Sequence, residues 1–143
     1  MEPPPAYLPA EQCVTLLLAQ AHRLGVLVRW QQPLGTTALA GAYHALPGQP
    51  GVLELKAPAS APASPELCSL ISHEMVHVLQ HWRGQLQALL PLGWPIDGAP
   101  PGQLLSLHEA EAYTAQGQPQ LVLAALRQLQ PPSGQGPQIQ LKP

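Results

Sequence analysis

His73-Glu74-Met75-Val76-His77 is the stretch of this chain whose residue types and spacing could do chemistry. It has the form H-E-x-x-H. On an α-helix, residues four apart share a face, so His73 and His77 can each turn an imidazole nitrogen toward one ion. Glu74 is the next residue along and can reach a metal-bound water without being a ligand itself. Two neutral imidazoles, a third protein ligand and an open water position make a catalytic zinc site. Zinc acidifies the water, the Glu takes its proton, and the attack falls on a polarised carbonyl. The chemistry is hydrolysis. A histidine pair at this spacing is otherwise a polar surface feature or a satisfied core pair, so the surrounding residues must decide.

Those residues read as a well-built helix. Ser64-Pro65-Glu66 supplies an N-cap, a proline at the first helical position and an acidic first turn. Leu67, Leu70, Ile71, Met75, Val78 and Leu79 carry apolar helical periodicity through the motif. Gly84, after His81-Trp82-Arg83, is the expected stop. Cys68 falls off the ligand face and is expected to be a small buried hydrophobe. His81, one turn past His77, either supports a ligand or is polar surface; His22 and His44 have no partner pattern.

A third ligand has to come from elsewhere. The metzincin extension fails, because Gln80 and Arg83 stand where its glycine and last histidine belong. Downstream, His108-Glu109-Ala110-Glu111-Ala112-Tyr113 lies on a later helical segment. This layout resembles the gluzincins, whose third ligand is a Glu on a separate helix. It is most similar to their minimal members, the minigluzincins and the small ImmA/IrrE-like metallopeptidases, over about residues 10–117.

The resemblance implies an α+β, minimal zincin-like fold. Its order would be an N-terminal helix, a short, mainly antiparallel three-stranded sheet, the H-E-x-x-H helix, a Glu-bearing helix and a C-terminal helix. It implies a zinc-dependent peptidase acting on a peptide or protein substrate, with His73, His77 and Glu109 holding Zn2+ and Glu74 as general base. Tyr113 occupies the position where many relatives have Asp or Asn, and there it is either an oxyanion donor or a core ring. Glu111 points away from Glu109 on an ideal helix and is the alternative third ligand, with His108 behind it. A non-catalytic zincin-fold module that binds a protein is the competing function. The intact Glu74 argues against it, since a purely structural metal site has no use for that residue.

Stepping along the chain, residues 10–24 form an amphipathic helix on Val14, Leu17, Leu18, Ala21 and Leu24, ending at Gly25. Strands are expected at 26–30, at 36–45 (loosened by Gly41) and at 52–56, the last offering an edge for an extended substrate. The proline- and glycine-rich run 91–101 is a loop, either lining a cleft with Trp94 as a wall or packed down by that ring. Helices at 103–116 and 119–130 follow. Residues 1–9 are expected to be disordered, 10–130 to form one domain, and 131–143 a flexible Pro/Gln-rich tail.

Composition narrows the partners. The net charge is −2 and charged residues make up 10% of the chain, which leaves no basic footprint for nucleic acid. The apolar run 14–28 is broken by Gln20, His22 and Arg23, so no membrane span is expected. Met1-Glu2-Pro3-Pro4-Pro5 is the opposite of a signal-peptide start. The two cysteines, Cys13 and Cys68, lie far apart; they leave room for one disulfide but do not suggest a secreted disulfide framework. A reduced, soluble, cytoplasmic protein is the expectation.

Overall fold

The computed structural model describes residues 8–31, 40–57 and 62–132. The expectations for residues 1–7, 36–39 and 133–143 lie outside them. The elements are α1 (Ala10–Arg23), β1 (Leu27–Trp30), β2 (Ala40–His44), β3 (Val52–Lys56), α2 (Pro65–Arg83), α3 (Leu107–Ala115) and α4 (Pro119–Arg127). The class is α+β, with four helices and one small sheet.

Helix α2 is the element on which the other three helices and β2 pack. Its start is built as the residues dictate: Ser64 Oγ accepts from the Leu67 N–H at 3.0 Å, with Pro65 at the first position. Residues 71–81 are buried without a break, because α1, β2, α3 and α4 all lie against this helix. Cys13, Leu17 and Ala21 from α1, Leu53 and Leu55 from β3, and Val122, Leu123 and Leu126 from α4 close one core around Ile71, Met75, Val76 and Val78. Gly84 ends α2, though not by a left-handed turn, since its φ is −84°. A Cβ there would stand 1.8 Å from the Ala88 carbonyl oxygen, so it is close approach that demands glycine.

The sheet departs from expectation. Its order is β1-β3-β2, with β1 parallel to β3 and β2 antiparallel to it, so it is mixed rather than mainly antiparallel. The short turn after His44 forces β2 and β3 into a hairpin. β1 then takes the remaining side of β3 and runs the same way, pairing Leu27 with Val52 and Trp30 with Leu55. β3 is therefore the central strand, not an edge, which is why Leu53 and Leu55 are both fully buried. The edge that faces the H-E-x-x-H helix is β2.

Two helix boundaries move. α3 starts at Leu107 rather than near residue 103, because Ser106 Oγ caps it by accepting from the Glu109 N–H at 3.2 Å. α4 ends at Arg127, short of residue 130, where Arg23 of α1 donates to the carbonyls of Leu126 and Leu129. Among the described residues no helix is long and apolar enough to cross a membrane.

The cysteines overturn the reduced state. Cys13 and Cys68 face each other across α1 and α2, their Cα atoms 5.7 Å apart, and form a disulfide. Burial of Cys68 was legible from its place on the helix and Cys13 was its one possible partner, but the crossing of α1 over α2 that joins them was not. Bonds of this kind are commonest in oxidising environments.

The bridge spans 55 residues, and removing it with Cys13→Ala and Cys68→Ala should cost roughly 4 kcal/mol of stability by loop-closure entropy. Denaturant titration of the oxidised, reduced and double-variant proteins checks this. Identical midpoints for all three would contradict it.

Candidate metal centre

His73 and His77 lie on the buried stripe of α2, and Glu109 comes to them from the first turn of α3. His73 Nε2 is 3.0 Å from Glu109 Oε1, and His77 Nε2 is 3.2 Å from Glu109 Oε2. The two imidazoles stand edge to face, with ring centroids 5.3 Å apart. Among the described residues these three form the one group able to hold a metal ion, their ligand atoms all within 4.8 Å of one another. The histidine side chains are 11% and 8% exposed and Glu109 43%, so the centre is closed on the helix side and open toward solvent.

Hydrogen bonds decide which nitrogens are free. His73 Nδ1 lies 2.8 Å from Gln116 Oε1, and His77 Nδ1 lies 2.7 Å from Gln80 Oε1. With the amide oxygens of Gln116 and Gln80 accepting, each Nδ1 carries a proton, so in the neutral rings each Nε2 keeps its lone pair. Two lone pairs and a carboxylate then converge, an arrangement satisfied by a cation, be it a proton on an imidazole or a metal ion. A tetrahedral ion with bonds of 2.0–2.1 Å separates its ligands by about 3.3 Å, close to the two His–Glu109 separations of 3.0 and 3.2 Å. The donor set of two imidazoles and one carboxylate fits zinc.

Glu74 sits beside this group on the cleft side, 6% exposed. Burial, the strongest influence, pushes its carboxyl above the ordinary range; His73 and His77 pull it down, and the neighbouring Glu109 pushes it up again. Gly41 of β2 gives it room: a Cβ there would come within 3.3 Å of the Glu74 Cγ, and as close to the Glu54 carbonyl and Leu70. The loosening glycine expected in this strand is thus the point where the strand passes the Glu74 side chain. Tyr113 lies edge-on to His73 with centroids 4.7 Å apart, and its side chain borders the same cleft. That cleft, of about 1180 Å³, runs between β2 and the helices α2 and α3.

Other candidates go elsewhere. Glu111 is not a ligand: its carboxylate is turned from the centre and accepts from Gln80 and from the backbone of residues 92–94. Burial alone would raise its pKa, but those bonds together bring it below the ordinary carboxylate range. His108 Nε2 donates to the Leu89 carbonyl at 2.9 Å. His81 is neither a support nor polar surface; it is 2% exposed and donates to the Gln49 carbonyl at 2.7 Å. Trp94 packs against the core and is no wall of the cleft, which Leu89 borders instead.

Gln80 and Gln116 were not anticipated. Gln80 had a signal, being a polar residue three past His77 and so on the same helix face. Gln116, beyond the end of α3, had none. Comparison with protein-family models, curated proteins and solved structures gave no significant match.

Elemental analysis and zinc titration of the purified protein should give close to one zinc per chain. Glu109→Ala should abolish tight uptake while far-ultraviolet circular dichroism stays native. A Glu109→Ala protein that binds zinc as tightly as wild type would remove Glu109 from the ligand set.

Proposed function

We propose that this protein is a zinc-dependent metallopeptidase of the gluzincin type. The observation that carries the proposal is the convergence of two imidazole Nε2 atoms and the Glu109 carboxylate beside Glu74 in an open cleft. His73, His77 and Glu109 would hold the ion. When bound, zinc would supply a Lewis acid that acidifies water and polarises a peptide carbonyl.

The remaining work falls to the chain's own residues. Glu74, unlike a metal ligand, is free to take a proton at its carboxylate and pass it to the leaving amine. β2 is an edge strand, so an extended peptide can pair with its main chain and lie along the cleft. Its residues there, Ala40, Gly41 and Ala42, are small and leave space for substrate side chains. Tyr113 borders the cleft beside His73, and in this reading its hydroxyl would be the donor to a developing oxyanion. Among the described residues no Lys or Arg borders the cleft, which disfavours acidic or phosphorylated substrates. A non-catalytic binding module would need the cleft and the edge strand but would have no use for Glu74.

Glu74→Gln should retain zinc and fold while lowering peptide hydrolysis by about 10²–10⁴-fold. A quenched-peptide library incubated with both zinc-loaded proteins measures this; equal cleavage by the variant would refute the mechanism. Tyr113→Phe separates that residue's two readings. An oxyanion donor predicts a loss in kcat of about 10²-fold, and a packing ring predicts none.

A further inference from the structure

Glu111 lies two residues from Glu109 but faces the opposite way, 2% exposed, with both oxygens in use. Oε1 accepts from Gln80 Nε2 at 2.9 Å and from the Leu92 N–H at 2.9 Å. Oε2 accepts from the Gly93 and Trp94 N–H groups at 2.7 and 3.0 Å. Gln80 carries the path onward. Its Nε2 also donates to the His108 carbonyl at 3.0 Å, and its Oε1 accepts from His77 Nδ1 at 2.7 Å.

The orientation of the Gln80 amide is forced. The Glu111 carboxylate and the His108 carbonyl can only accept, so the end facing them is the NH2 and the end facing His77 is the oxygen. That oxygen in turn requires a proton on His77 Nδ1, so the neutral ring keeps its lone pair on Nε2, the form in which imidazole ligates a metal. The other neutral tautomer would leave the Gln80 oxygen facing a bare Nδ1 in this buried network.

We propose that Glu111 and Gln80 are positioning residues, forming a relay from the backbone of residues 92–94 to His77 that fixes its tautomer and couples that loop to metal affinity. The affinity consequence rests on the metal-site reading above; the tautomer does not. Coupling of this kind is reciprocal, so a bound metal should hold the loop as firmly as the loop holds His77.

A Glu111→Gln substitution has two possible orientations, and each breaks the relay. With its amide nitrogen toward Gln80, donor meets donor; Gln80 turns over, presents NH2 to His77 and imposes the other tautomer. With the nitrogen toward residues 93 and 94, two backbone N–H groups lose their acceptor and the loop is released.

The test uses 15N-labelled full-length protein, with imidazole 1H–15N correlation spectra of the metal-free form, the zinc Kd and amide exchange at residues 92–94. Wild-type His77 should be the Nδ1–H tautomer. Glu111→Gln should raise the zinc Kd about 10–100-fold, the range usual for a lost partner of a metal-bound histidine, with a changed His77 tautomer or faster exchange at 92–94. Gln116→Leu, which touches only the His73 side, should weaken zinc without changing that exchange. A folded Glu111→Gln with wild-type tautomer, exchange and Kd would overturn the relay. If that variant does not fold, Gln80→Met serves, keeping the three backbone bonds to Glu111 while freeing His77. A retained single tautomer with unchanged Kd would then overturn the relay. Wild type that takes up no zinc would refute the metal-site reading, and the imidazole spectra would still decide the relay.

Discussion

The structure depends on one electrostatic demand: two imidazoles and a carboxylate meet at a point that asks for positive charge. His73 and His77 have their Nδ1 atoms bonded to Gln116 and Gln80, and their Nε2 atoms face the Glu109 carboxylate at 3.0 and 3.2 Å. With neutral rings and no cation that meeting is repulsive, and in a largely desolvated site the repulsion is poorly screened. With a divalent ion the same geometry becomes a ligand set.

Holding such a group inside a small domain has consequences for every element. Helix α2 buries not only its apolar residues but Ser72, His73, Glu74, His77, Gln80 and His81. Buried polar groups without partners are costly, so the neighbours supply them. α3 gives Glu109, the carbonyl of His108 and the carboxylate of Glu111; the residue after α3 gives Gln116; the β2–β3 turn gives the Gln49 carbonyl to His81. α3 is short, yet two glutamates two residues apart serve opposite faces of it, one toward the metal centre and one toward the loop. The apolar side of α2 is secured separately, by α1, α4 and the Cys13–Cys68 bridge.

Much of this was legible in the residues. Ser64-Pro65-Glu66 set the start of α2, and H-E-x-x-H with Glu109 named the group that converges. The strand at 52–56 followed from periodicity, and the α+β class from what the resemblance implies. What escaped was what depends on pairing at a distance. Strand order could not be read, because alternation in Leu53 and Leu55 marks a buried face but not which neighbours flank it. The Cys13–Cys68 bond depends on how α1 crosses α2. Ser106 with Glu109 has the Ser-x-x-Glu form of a capping box, a signal for the start of α3 that the expected start at residue 103 overlooked. Glu111 was weighed only as a ligand, since no sequence pattern announces a carboxylate whose partners are three backbone N–H groups of a loop.

X-ray absorption at the zinc edge of the zinc-loaded protein tests the central claim most directly. The account predicts a shell of nitrogen and oxygen atoms only, at about 2.0–2.2 Å, with the outer scattering of two imidazoles. Sulfur at about 2.3 Å, more than two imidazoles, or a fully hydrated ion would contradict it.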